Sequence, residues 1–254
     1  MVRENLWKIY DEKHLEELER VNKQYRECLD AGKTERECVR ETIRLAKEAG
    51  YRDMKELRKN KESVKAGDKV YMDYMGRAII LFQAGTQPIE NGMNILGAHI
   101  DSPRIDIKQN PLYEEQEVAY LDTHYYGGVK KYQWVAMPLA IHGVVIRKDG
   151  TKTDIVIGEK DDEPGFIITD LLPHLGRKQM EQNADKFIDG EKMDLVIGNR
   201  PLKGEEKDAV KAEMLRLFHD YYGIEEEDFL SAELEIVPAG KAKECGLDRS
   251  MIMA

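Results

Sequence analysis

The sequence predicts an α/β fold built on a mixed β-sheet. Three observations support this prediction: helical spacing of apolar residues over about residues 1–51, a short alternating hairpin after it, and the apolar run Ile95–Ala98. A short continuous apolar run is typical of a strand that is covered on both faces. Helices, a hairpin and a covered strand in this order favour the α/β class.

Helices are predicted throughout residues 1–51. In the first part, apolar residues recur at helical spacing among charges: Leu15, Leu18, Val21 and Tyr25. Thr34 and Glu37 fit a capping box, in which each side chain accepts a hydrogen bond from the other residue's backbone. Gly50 is a suitable helix stop. These features indicate amphipathic packing helices.

The hairpin is predicted from two apolar segments joined by a turn. Val70–Met75 alternates in polarity, and Gly76-Arg77 leads into Ala78–Phe82. The predicted strand Ile95–Ala98 follows after a loop, and Pro103 ends it because proline cannot continue a central ladder.

Beyond Asp106 the chain predicts a second, mostly β domain inserted into the first. Short β-type runs alternate with glycine-rich turns, and Lys148–Thr151 indicates a tight hairpin. A helix is predicted for Gly204–Tyr222. Ala232–Val237 alternates as a strand, which we expect to return to the first domain.

Charge and composition restrict the classes of partner. The 254 residues carry 39 basic and 49 acidic side chains, a formal net charge of −10. This balance argues against nucleic acid and anionic membrane as partners, since both attract a positive face. Three widely spaced cysteines offer no disulfide framework, and no apolar stretch reaches the ~20 residues of a membrane span. We expect a cytoplasmic protein.

His99 and Asp101 are the principal candidate site residues. On a strand, residues two apart point the same way, so both side chains can face one site at the carboxyl end of the sheet. A neutral imidazole binds zinc, and a nearby carboxylate orients it. A structural His–Asp pair without metal is the alternative. Arg104 and Lys108 follow the motif and are predicted to be surface charges, with recognition of an acidic substrate as the alternative.

The longer segment Gly97–Pro103 resembles the first metal-binding motif of the aspartyl-aminopeptidase family of di-zinc exopeptidases. Further elements of that family are matched in order along the chain by Tyr125–Val129, Trp134, Pro138–Ala140, Leu171–Leu175 and Gly240–Met251.

The resemblance implies an incomplete mixed-sheet metallopeptidase domain with an inserted dimerisation domain. Residues 1–106 with 234–254 would form the N-terminal part of the peptidase domain, and residues 107–233 the β-rich insertion. It also implies two zinc ions, with His99 as a metal ligand and Asp101 as its orienting carboxylate. His174 would bind substrate in a neighbouring subunit of a homo-oligomer.

One departure from the family affects the expected function. The family's other metal ligands and its general-base glutamate, in Gly-x-Asp-Asp and Glu-Glu elements, have no counterpart in this sequence. We therefore expect an aminopeptidase that hydrolyses peptides with zinc, represented by a fragment that lacks most ligands. The alternative is a catalytically inactive chain or an assembly module that retains the dimerisation domain.

Overall fold

Two structural units make up the chain, whose residues 4–254 are described by a computed structural model. Residues 1–3, the start of the predicted helical region, lie outside the described residues. One unit contains the residues up to Asp101 together with Lys241–Ala254, and the other contains Ser102–Gly240. The combination of helices with sheets confirms the predicted mixed α/β class.

The helices are α1 (Glu12–Ala31), α2 (Glu35–Glu48), α3 (Met54–Lys59), α4 (Arg177–Met180) and α5 (Ala209–Tyr222). The strands are β1 (Arg52–Asp53), β2 (Lys69–Tyr74), β3 (Ala78–Gln83), β4 (Arg104–Glu115), β5 (Val118–Tyr126), β6 (Leu139–Ile146), β7 (Lys152–Ile157), β8 (Leu195–Gly198), β9 (Ala232–Pro238), β10 (Lys243–Cys245) and β11 (Met251–Met253).

Local capping sets the helix boundaries of the first unit. The Asp11 side chain accepts a hydrogen bond from the backbone of His14 at the start of α1. Thr34 and Glu37 form the predicted capping box at the start of α2. These side chains satisfy backbone N–H groups that have no partner inside the helix. The predicted helices are confirmed from Glu12 to Glu48, whereas the described residues before Glu12 form only a short 3-10 turn at Leu6–Lys8.

The three-stranded sheet of the first unit has the order β1-β2-β3. β1 is parallel to β2, and β2 is antiparallel to β3. Met75 and Gly76 adopt positive φ angles of 58° and 70° in the turn, and Gly76 donates its N–H to Asp73. The predicted hairpin is therefore confirmed.

The predicted strand Ile95–Ala98 is wrong. Met93–Pro103 has no regular secondary structure, and the side chains of Ile95 and Leu96 are 81% and 99% exposed. A strand forms only where a neighbour satisfies its backbone groups, and no described residue pairs with this segment. Apolar composition alone does not form a strand where the described residues offer no partner.

The second unit is built on a six-stranded antiparallel sheet of order β7-β6-β9-β4-β5-β8. The hairpin predicted at Lys148–Thr151 connects β6 to β7. β9, which was expected to return to the first domain, lies between β6 and β4 in the sheet of the second unit. The alternation of apolar and polar residues predicts a strand but does not indicate which sheet the strand joins.

β4 was not predicted. The polar run Lys108–Asn110 and Pro111 interrupt the apolar pattern. The structure accommodates them with an irregularity in the β4–β5 register between Ile107 and Leu112. A bulge of this kind lets a strand continue past residues that would otherwise break the ladder.

One apolar cluster forms the core of the second unit. Strand residues Ile105, Leu121, Leu139 and Ile236 are fully buried in it, and Phe229 joins them from the chain before β9. α5 contributes its apolar face to the same cluster. This unit therefore has a continuous core of its own.

Gly143 in β6 is required by the close approach of β9. Its φ is 147°, and a Cβ atom there would lie 2.0 Å from the carbonyl oxygen of Glu233. Only glycine fits a backbone contact of this kind.

Within residues 4–254, no helix has the length and apolar character needed to cross a membrane.

We predict that Ile236→Ala lowers the free energy of unfolding by about 2–5 kcal/mol, because it opens a cavity in the core. Ile80→Ala, at a position that is 61% exposed in β3, should cost less than about 1 kcal/mol. Chemical denaturation followed by circular dichroism measures both. A larger loss for Ile80→Ala would contradict this core assignment.

Glu163 closes the loop after β7. Its carboxylate accepts hydrogen bonds from the Lys160 ammonium at 2.8 Å and from the backbone N–H groups of Gly158 and Glu159 at 3.0 and 3.2 Å. The bond from Lys160, and then the backbone donors, lower the pKa of Glu163 from 4.5 to about 2 in spite of desolvation. The charged form is thus favoured in the folded state.

Because the folded pKa lies below the unfolded value, Glu163 stabilises the fold above about pH 4.5, and this contribution is lost as the pH falls towards about 2. We predict that Glu163→Gln lowers the free energy of unfolding by about 1 kcal/mol at pH 7, a modest loss because water screens the pair. The acid limb, which is the fall in the free energy of unfolding between about pH 4.5 and 2, should become shallower in this variant. Asp161→Asn, an exposed carboxylate of the same loop, is the matched control. An unchanged acid limb in Glu163→Gln would refute the assignment.

Candidate functional site

His99 and Asp101 lie together in the irregular segment that follows Gly92. The Nδ1 atom of His99 is 2.9 Å from the backbone oxygen of Asp101 and 3.1 Å from its carboxylate Oδ1. The two side chains are 83% and 39% exposed. The predicted proximity of ring and carboxylate is therefore present, although it arises within an irregular segment rather than on a strand.

The hydrogen bonds of His99 select one tautomer of its ring. Both neighbours of Nδ1 are oxygen acceptors, so the neutral ring carries its proton on Nδ1. The lone pair of Nε2 then remains available to a metal ion. This arrangement, in which a carboxylate or carbonyl holds one nitrogen and a metal binds the other, is common among zinc-ligating histidines.

The pair fits one ligand of a zinc site but does not complete one. Zinc sites in proteins use three or four protein ligands. Among residues 4–254, no group of three or more His, Cys, Asp or Glu side chains is arranged to hold a metal ion. The donor chemistry of His99 thus suits zinc, while the described residues supply too few ligands to fix it.

His174 lies in the second unit, in a turn before α4. The backbone N–H groups of Leu175 and Gly176 both donate to the carbonyl of Leu172, which closes the turn. His174 is exposed, and Leu171, Leu172 and Leu175 around it are 56–67% exposed. The structure thus brings His99 and Asp101 together and leaves His174 on an exposed turn of the other unit.

Arg104 is buried, so the prediction that it is a surface charge is wrong. Its side chain is only 8% exposed, and its Nε atom lies 2.7 Å from Asp106 and 3.4 Å from the buried carboxylate of Glu235. The guanidinium group stacks on Tyr126 at 4.0 Å from the ring centre. Arg104 and Asp106 are two apart on one strand and so share a face, but the residues that bury Arg104 come from β5 and β9. This cluster fixes the start of β4, directly after the His99 segment.

A second polar group lies on the face of β4 and β5. Lys108 contacts the carboxylates of Asp122 at 2.7 Å and Glu191 at 3.5 Å, and Glu191 also contacts His124 Nδ1 at 2.8 Å. Lys108 is thus paired with two carboxylates, one of which also contacts the ring of His124. The predicted surface position of Lys108 is confirmed, since its side chain is 38% exposed.

Comparison with known proteins shows a family. Residues 28–254 match the family described as "Aminopeptidase I zinc metalloprotease (M18)". A relative from Clostridium acetobutylicum, "Probable M18 family aminopeptidase 1", is 51% identical over 250 residues, which are 98% of this chain and 54% of the relative. The chain thus spans about half the length of the curated relatives it matches.

Solved structures agree on the fold. The M18 aminopeptidase from Thermotoga maritima matches with a TM-score of 0.91 and 42% identity, over 99% of this chain and 54% of that chain. A more distant structure, described as the S. cerevesiae mApe1 dodecamer, matches with a TM-score of 0.64 and 16% identity, over 92% of this chain and 52% of that chain. The latter likeness shows the fold alone.

We predict that the neutral ring of His99 carries its proton on Nδ1, and that Asp101→Ala lowers the population of this tautomer by removing one of its two acceptors. Nitrogen NMR of the isotope-labelled chain distinguishes the two ring nitrogens. The ring of His219, 60% exposed on α5, is the internal reference. A proton on Nε2 of His99 in the unmodified chain would contradict this geometry.

Proposed function

The chain belongs to the aminopeptidase I zinc metalloprotease (M18) family, and we propose that it acts as part of a zinc-dependent aminopeptidase that releases N-terminal residues from peptides. The observation that carries this proposal is the His99–Asp101 pair, which lies inside the matched region and presents Nε2 of a suitably oriented imidazole. When bound, zinc supplies Lewis-acid polarisation of a peptide carbonyl and activation of water.

Three residues have proposed roles. His99 is a first metal ligand through Nε2, and Asp101 holds the ring in the required tautomer and orientation. His174 contacts the substrate in a neighbouring subunit, a role supported by its exposure on a closed turn. The remaining ligands of the family's two zinc ions would come from outside the described residues.

We further propose that residues 107–233 mediate self-association into a homo-oligomer. The support is physical. The second unit has an apolar core of its own, and the leucines at 171, 172 and 175 lie outside that core and are exposed. Exposed apolar side chains that cluster in this way are typical of interaction surfaces.

An assembly module without catalysis is the second candidate function. The observation that favours it is the lack of any three-ligand group among residues 4–254, alongside a second unit with a core of its own. For both candidate functions we propose a cytoplasmic location, which the three free thiols fit. For both, the net charge of −10 argues against nucleic acid and membrane surfaces as partners.

A chimeric protein tests whether this chain is part of an enzyme or a non-catalytic assembly module. This chain would replace the matched region of the Clostridium acetobutylicum relative, to which it is 51% identical. We expect chelator-sensitive turnover of aminoacyl substrates, which His99→Ala lowers by more than about 100-fold and Asp101→Ala by about 10–100-fold. His219→Ala is the matched control for an exposed histidine and should leave turnover unchanged.

The chain by itself should give turnover near background, since its described residues do not hold zinc in a fixed geometry. A chimera that folds and assembles but has no activity would overturn the enzymatic proposal and leave the assembly module. Turnover that survives His99→Ala would overturn the ligand assignment.

A further inference from the structure

The sequence contains three pairs in which an amide or carboxyl side chain comes directly before glycine: Asn91-Gly92, Asp149-Gly150 and Asp189-Gly190. In such a pair the backbone nitrogen of the glycine can attack the carbonyl carbon of the preceding side chain and close a cyclic imide. Glycine favours this reaction because it has no side chain to obstruct the approach. The surroundings of each pair determine whether the ring can form.

The two aspartate pairs are restrained by their neighbours. A Cβ atom on Gly190 would lie 2.5 Å from the ring of Tyr125, so the space around Asp189-Gly190 is already filled. The carboxylate of Asp149 accepts a hydrogen bond from the backbone N–H of Thr151 at 2.8 Å. This bond lowers the pKa of Asp149 from its usual value of 3.8, which keeps the group ionised. An ionised carboxylate is a poor target for a nucleophile.

Asn91-Gly92 has none of these restraints. Asn91 is exposed and ends the 3-10 turn Ile89–Asn91. Within residues 4–254, its side-chain amide has no hydrogen-bond partner. A Cβ atom on Gly92 would meet no described atom within 4 Å, so there is room for the ring. The side chain is also a neutral amide, whose carbonyl carbon is open to attack.

One hydrogen bond opposes the reaction. The N–H group of Gly92 donates to the carbonyl oxygen of Ile89 at 2.9 Å, and the nitrogen must leave this bond before it can attack. The bond closes a single turn of three residues, none of which is buried. A short exposed turn of this kind opens at a small cost in free energy. The turn therefore slows the reaction without preventing it.

We propose that Asn91-Gly92 is a site of spontaneous deamidation. The backbone nitrogen of Gly92 gives up its proton to water and forms a bond to Cγ of Asn91. The bond between Cγ and Nδ2 then breaks, and Nδ2 takes up a proton and leaves as ammonia. Water opens the resulting ring. Cleavage of the ring bond at Cγ gives aspartate, whereas cleavage at the main-chain carbonyl carbon gives isoaspartate, in which the backbone runs through the side chain.

Both products change the segment that leads to His99. Each replaces a neutral amide by a carboxylate and so adds one negative charge to the formal −10 of the sequence. Isoaspartate also inserts a methylene group into the backbone between β3 and His99. The inference does not depend on the proposed function, because it uses only the reactivity and surroundings of Asn91 and Gly92.

The test is prolonged incubation of the full chain at several pH values, followed by ion-exchange chromatography and peptide mass spectrometry. We expect a more acidic species that carries isoaspartate at position 91, detected with an isoaspartyl carboxyl methyltransferase and a labelled methyl donor. Its rate of formation should rise with pH, since the attacking nitrogen is deprotonated. Asn94 is the internal control in the same exposed segment. It should convert at least about tenfold more slowly, because the β-branched side chain of Ile95 follows it.

Two variants complete the test. Asn91→Gln should lose the isoaspartate at this position, since its longer side chain would have to close a larger ring. Asn91→Asp supplies the chromatographic reference for the aspartate product. Circular dichroism should show both variants folded, because the side chain of Asn91 is exposed.

Three results would overturn the proposal. They are an unchanged Asn91 after incubation, conversion of Asn94 at the same rate as Asn91, and formation of aspartate at position 91 without isoaspartate. The last result would show direct hydrolysis of the side chain in place of attack by the backbone nitrogen of Gly92.

Discussion

Strand pairing is the constraint on which this structure depends. In the second unit, β9 lies between β6 and β4, and its register with β6 runs without a break from Leu139 opposite Pro238 to Val145 opposite Ala232. Ile236 is paired on both sides, with Ile141 of β6 and Ile105 of β4, so its backbone can be satisfied without water and the residue is fully buried. The tight contact at Gly143 is a consequence of the same approach. In the first unit, β3 pairs on one side only among the described residues, and its apolar side chains remain exposed.

Sequence reasoning succeeded where structure is determined locally. The capping box at Thr34 and Glu37 and the turns at Gly76 and Gly150 depend on residues within a few positions of each other. It failed where the outcome depends on a distant partner. The composition of Ile95–Ala98 is that of a covered strand, yet composition cannot supply the neighbours. The placement of Ala232–Val237 in the larger sheet depends on β4 and β6 in the same way.

The same distinction between local and distant contacts applies to the candidate site. The spacing of His99 and Asp101 predicted that ring and carboxylate would meet, and they do, through a local contact that needs no strand. The buried environment of Arg104 could not be anticipated, because Glu235 and Tyr126 reach it from β9 and β5. A cation next to a candidate motif is therefore weak support for substrate binding until its neighbours are known.

The proposed ligand illustrates the difference between orientation and position. A metal ligand must be held within a narrow range of position and angle, and sites carried on strands or helices are held more precisely than sites on loops. Asp101 orients the ring of His99 through a local contact, but the segment Met93–Ala98 before it has no strand partner among the described residues, and the side chain of His99 is 83% exposed. The orientation of the proposed ligand is thus set within three residues, whereas a fixed position would need partners for the backbone that carries it.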